Sequence, residues 1–122
     1  MKVCFDFDNT LDIITIKTYA KELINQGIDV WICTQRPCDE DAPNKSRNLD
    51  LWQVVKYLNI PKNQVIFLNL KSKFTFFLNK DFIWHLDDDW TEIKKINENT
   101  DTKGITHFGN KFWRFDCDDL LK

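Results

Sequence analysis

Two acids stand two residues apart at the end of an apolar run, Asp6 and Asp8 in "KVCFDFDNTL", residues 2–11. Aspartate is depleted from strands and neighbouring like charges repel, so packing alone gives no reason for the pair. Side chains two apart on an extended segment share a face, so both carboxylates can serve one site where strand gives way to loop. A second acidic group, Asp87, Asp88 and Asp89, closes another apolar run, "FIWHLDDD". A hard divalent cation held by carboxylate oxygens answers such repulsion, and magnesium is favoured where few protein ligands share the shell with waters and a phosphate. A carboxylate beside a phosphate so held can attack phosphorus to give an aspartyl-phosphate. A second acid, its pKa raised toward neutrality, can then protonate the leaving oxygen and later deprotonate water. Charge spreading over the equatorial oxygens calls for a lysine and a hydroxyl opposite the metal. Thr34, which ends "VWICT", offers the hydroxyl, and "KSKFTFFLNK" offers Lys71, Lys73 and Lys80. Arg36, just past Thr34 in "TQRP", can hold a phosphate bidentately.

Elements that would position these groups alternate along the chain. Lys2 to Phe7 reads as a buried strand, and Thr15 to Asn25 as a helix ending before Gly27. Ile28 to Cys33 is a second strand, followed by the polar loop "TQRPCDEDAPNKS". Asn48 to Leu58 then carries Leu51, Val54, Val55 and Leu58 at helical spacing. A third strand is expected around Val65 to Leu68 after the break at Pro61, and a helix over Lys71 to Asn79, where "FTFFL" reads equally as a strand. Phe82 to Leu86, a helix over Trp90 to Asn97 and a strand over Gly104 to Phe108 complete the pattern. Strand–helix alternation of this kind implies an α/β fold, a three-layer sandwich around a mostly parallel, doubly wound sheet. Ligands in such folds sit beyond the carboxyl ends of the strands at the topological switch point, where both acid groups fall.

With 122 residues, 43% hydrophobic and 30% charged, and three glycines and three prolines, the chain reads as one folded domain over residues 1–122. A net charge of −2 provides no global basic field for nucleic acid or an acidic membrane surface. Cys4, Cys33, Cys38 and Cys117 lack the paired spacing of a zinc site and the density of a disulfide scaffold, so reduced structural thiols are expected. No run has the length of a membrane span and no leader pattern precedes the first strand, so a cytoplasmic protein without membrane contact is expected.

The ordered motifs resemble those of the haloacid dehalogenase superfamily, from Lys2 to about Asp89. "DFDNTL" resembles its first motif, DxDx(T/V), in the form that marks the phosphatase branch. The resemblance implies that Asp6 is the nucleophile, Asp8 the general acid/base and Thr34 the phosphate-binding hydroxyl. It makes Asp6 and Asp8 part of the magnesium site, with Asp88 the direct ligand and Asp87 acting through water, although Asp89 leaves the register open. "KFTFF" is similar to the third motif and favours Lys73 as catalytic and phosphate-binding lysine over Lys71. Neither gap between motifs has room for a cap domain, so the resemblance implies a capless enzyme with an open site.

An open site favours an exposed phosphate, such as a nucleic-acid 3′ end, with free nucleotides as the chief rival substrate and a phosphate-binding module without turnover as the rival class. Trp113, flanked by Lys111 and Arg114, can stack a base, but a core position in a C-terminal strand is favoured slightly. Lys45 and Arg47 add positive charge near Arg36, against the acidic "CDEDA". His85 reads as a satisfied core residue, and its spacing to His107 suggests no metal pair.

Overall fold

The computed structural model describes residues 1–38 and 45–122, with the side chains of Lys45 and Ser46 outside the description. The acids of "CDEDA" and the expected contribution of Lys45 therefore fall outside the described residues.

Five parallel strands form one sheet in the order β3-β2-β1-β4-β5. They are β1 (Lys2–Phe5), β2 (Asp29–Thr34), β3 (Val65–Phe67), β4 (Phe82–Asp87) and β5 (Lys103–Thr106). Helices α1 (Ile14–Asn25), α2 (Leu49–Leu58), α3 (Phe74–Phe77), α4 (Trp90–Asn99) and α5 (Trp113–Leu120) occupy the connections and the C-terminus. The chain steps from β1 outward through β2 to β3, then returns to the other side of β1 as β4 and β5. The switch point therefore lies between the adjacent carboxyl ends of β1 and β4.

Alternation along the strands divides the apolar residues between two clusters. Val3, Phe5, Val30, Ile32 and Leu86 pack with Ile16, Tyr19, Ala20 and Leu23 of α1, with Leu51, Val54, Val55 and Leu58 of α2, and with Cys117 of α5. Cys4, Cys33 and Phe82 pack instead with Phe77 of α3 and Ile96 of α4. In α1 and α2 the buried positions recur at three- and four-residue intervals, so each helix turns one apolar stripe to the sheet. Left-handed Asn59, at φ 58°, ends α2. Asp89 starts α4, its carboxylate accepting from the backbone N–H groups of Thr91 and Glu92.

Two expectations need correcting. The segment Lys71 to Asn79 keeps only the single turn Phe74–Phe77, and "FTFFL" is not a strand. Its aromatic spacing serves packing, since Phe76 and Phe77 meet Phe82 at ring separations of 5.6 and 5.3 Å. The C-terminal segment is a helix, not a strand, and half-buried Trp113 meets Tyr19 edge-on at 5.4 Å. The four cysteines are free thiols, with Cys4, Cys33 and Cys117 buried, as expected. No helix among the described residues is long and apolar enough to cross a membrane.

Candidate functional site

β1 ends at Phe5, and the backbone N–H of Asp6 donates to the Leu86 carbonyl at 2.8 Å. That bond sets the Asp6 carboxylate beside the end of β4. The chain then turns sharply through Phe7–Leu11, with Asn9 at φ 58°, a left-handed conformation that asparagine tolerates better than most residues. Its return brings the Thr10 hydroxyl onto Asp6 Oδ2 at 3.2 Å.

Lys73 is the lysine that reaches the acids. Its side chain is 3% exposed, and its Nζ lies 2.6 Å from both Asp6 Oδ1 and Asp87 Oδ2. Lys71 and Lys80 are exposed. Asp87 also takes a hydrogen bond from His85 Nε2 at 2.8 Å, which makes the buried imidazole a donor at that nitrogen. Asp6, Asp87 and Asp88 each bring one carboxylate oxygen within 4.8 Å of the others, a set that could hold a metal ion. All three donors are hard oxygens, which suits magnesium better than zinc. Asp89 has another task, capping α4.

The electrostatics follow from burial and this pairing. Burial, followed by the charge of Asp87, pushes the Asp6 carboxyl well above the ordinary carboxylate range, even against Lys73. Burial acts on Asp87 in the same sense, but the hydrogen bond from His85, the charge that His85 gains when acid protonates it, and Lys73 outweigh it and hold that carboxyl below the ordinary range. Burial also raises Asp88. In Lys73 burial opposes the charge, and the two carboxylates overcome it and hold the ammonium above its usual pKa. Burial depresses His85 despite Asp87, so its imidazole is neutral near pH 7.

Asp6, Asp8, Thr34, Arg36, Lys73, Asp87 and Asp88 all line one pocket of about 150 Å3, together with Asn9, Gln35 and Asp89. Within it Asp8 stands apart from the three converging carboxylates. Its carboxylate is half-exposed and is gripped by Arg36 at 2.7 and 3.0 Å. Thr34 is buried at the end of β2, with its Oγ1 accepting from the Arg36 N–H at 3.2 Å. A larger depression of about 620 Å3, near Trp52, Asn59 and Lys62, has no acid in its lining.

Several partners were not legible in the sequence. His107 follows β5, and its Nε2 lies 3.0 Å from Thr10 Oγ1, joining residues 97 positions apart. With Thr10 donating to Asp6, the imidazole donates to Thr10. Buried Glu92 on α4 accepts from Gln35 at 2.7 Å and Ser72 at 2.8 Å, bracing the residues beside Thr34 and Lys73. Thr10 had a signal, since it stands inside the acidic motif itself.

The chain matches no known family model, no curated protein and no solved structure. Its chemistry is read from its own residues.

Proposed function

We propose that the chain is a magnesium-dependent phosphomonoesterase that works through an aspartyl-phosphate on Asp6. One observation carries the reading: Asp6, Asp87 and Asp88 converge around buried Lys73 at the switch point of a parallel sheet, with Thr34 in the same pocket. A carboxylate so placed can attack phosphorus, forming the Asp6 O–P bond as the bond to the leaving oxygen breaks. Asp8 gives that oxygen its proton, then takes one from the water that cleaves the acyl-phosphate and restores Asp6. Lys73 counters charge on the phosphoryl oxygens, and the Thr34 hydroxyl turns to donate to one of them. Asp6, Asp87 and Asp88 would hold the magnesium ion, whose charge would keep Asp6 ionised and neutralise the phosphate.

A pocket of about 150 Å3 is smaller than the roughly 300–1,000 Å3 that buries a whole small molecule. It suits a phosphate projecting from something larger, such as a nucleic-acid 3′ end. Under this reading the fold is the capless three-layer sandwich of the haloacid dehalogenase superfamily. The test is phosphate release, with magnesium and with EDTA, across 3′- and 5′-phosphorylated oligonucleotides, nucleotides, a phosphopeptide and sugar phosphates. Magnesium-dependent release from oligonucleotide ends supports the reading, and preference for free nucleotides makes the enzyme a nucleotidase. Binding of phosphate without release from any substrate replaces the enzyme with a binding module.

A further inference from the structure

Arg36 was expected to grip the substrate phosphate, but its bonding points elsewhere. A guanidinium has five N–H donors in a fixed fork. All five are committed within the protein. Nε and Nη2 donate to the two carboxylate oxygens of Asp8 at 3.0 and 2.7 Å. Nη1 and Nη2 donate to the two oxygens of Asp50 at 2.8 and 2.9 Å, and Nη1 also donates to the Arg47 carbonyl at 3.0 Å. The guanidinium carbon sits 4.9 Å from the centre of the Phe7 ring, which supports the plane from one side. An arginine bidentate to two carboxylates and stacked on an aromatic ring is fixed in place, and a phosphate could recruit it only by breaking one of those pairs.

We propose that Arg36 is a clamp that positions the Asp8 carboxylate, that it is not a phosphate ligand, and that Asp50 is the positioning residue that anchors the clamp. Three separate pieces of chain meet there: the turn after β1 carries Asp8, the loop after β2 carries Arg36, and the first turn of α2 carries Asp50. Asp8 is exposed on a sharp turn, and without a partner its side chain would sample many rotamers. The clamp selects one of them. Arg36 donates one bond to each Asp8 oxygen, and a carboxylate offers about four acceptor sites, so both oxygens keep a lone pair that can face the substrate. Asp50 therefore acts on the reaction only through Arg36 and Asp8.

Only the kinetic part of the test rests on the phosphatase reading. In the full-length 15N-labelled protein, the Arg36 Nε–H resonance, assigned by its loss in Arg36→Gln, is expected to exchange slowly. Its position should not move when inorganic phosphate and magnesium are added. Asp50→Ala should speed that exchange at least tenfold, and Asp50→Glu should restore much of the protection. In turnover, Asp50→Ala should lower kcat about ten- to a hundredfold, as expected for a misplaced proton donor, with KM changed less than twofold. Exchange unaffected by Asp50→Ala, or an Arg36 resonance that shifts when phosphate binds, would overturn the clamp. So would tighter phosphate binding in Asp50→Ala, the result if Asp50 merely withheld a phosphate ligand. If the wild type releases no phosphate, the phosphatase reading fails alone and the exchange data still decide the clamp.

Discussion

Lys73→Met removes the buried cation while keeping most of the side chain's length. In the folded protein this ammonium contacts Asp6 and Asp87, each at 2.6 Å, and the three side chains are 3%, 8% and 1% exposed. Removing one member of a buried ion pair strands its partner and costs about 3–5 kcal/mol. Here Asp6 loses its only cation among the described residues while Asp87 keeps the hydrogen bond from His85, so a loss within that range is expected at pH 7. In the variant Asp6, already raised by burial and by Asp87 when Lys73 is present, keeps a folded pKa above the unfolded one, about 3.9. The folded form is then favoured at low pH, and stability falls as pH rises through the folded value. In the wild type Asp87 is the opposite case: its depressed pKa contributes stability above about 3.9 that is lost on acidification. The two proteins should therefore converge toward pH 4 and diverge toward pH 7. Urea unfolding followed by circular dichroism at both pH values provides the assay, and an m of about 2 kcal/mol/M puts the midpoint about 2 M lower for the variant at pH 7. A loss below about 1 kcal/mol, or one of equal size at both pH values, would refute the assignment of Lys73 as counter-ion to the buried acids.

Other perturbations reach different parts of the account. Neutral His85 contributes stability that is complete above its unfolded pKa, about 6.5, and lost as pH falls; His85→Gln should flatten the slope of stability between pH 7 and 5, which can approach 1.4 kcal/mol per unit, as measured by the same unfolding curves. Thr34→Val keeps the shape but strands the Arg36 N–H; a cost of about 1–2 kcal/mol should appear in denaturation, and magnesium-dependent phosphate binding, read by calorimetry, should weaken about tenfold. Gly104→Ala places a Cβ 3.0 Å from the Ile93 carbonyl oxygen and 3.2 Å from its Cγ2, forcing β5 away from α4; a loss of about 1–3 kcal/mol is expected by thermal or urea denaturation.

What could be read from the sequence was whatever depends on local pattern. Short apolar runs mark the strands, which are buried on both faces of the sheet, and helical apolar spacing marks the stripes of α1 and α2. Asp6 and Asp87 were visible because acids at the ends of apolar runs conflict with their surroundings. Pairings across the fold were not visible. Only the likeness of "KFTFF" to a motif favoured Lys73 over Lys71, and the physical difference comes from the fold, which buries one and exposes the other. His107 reaches Thr10 only because β5 lies beside β4 and β4 beside β1. Arg36 illustrates the same limit: its position beside Thr34 was plain, but the carboxylates that occupy it come from two other segments. The single turn of α3 was overextended because "KSKFTFFLN" has helical spacing on paper, while only Phe77 of that turn is fully buried.

The central claim is that Asp6 carries the phosphoryl group. The most direct measurement is mass spectrometry of peptides from acid-quenched enzyme, taken during turnover with magnesium and whichever substrate releases phosphate fastest, in the wild type and in Asp8→Asn, where the slowed second step lets the adduct accumulate. The account expects one hydroxylamine-sensitive phosphoryl group on the peptide bearing Asp6, and neither adduct nor turnover in Asp6→Asn. Phosphate release that survives Asp6→Asn, or an adduct on any other residue, would contradict it.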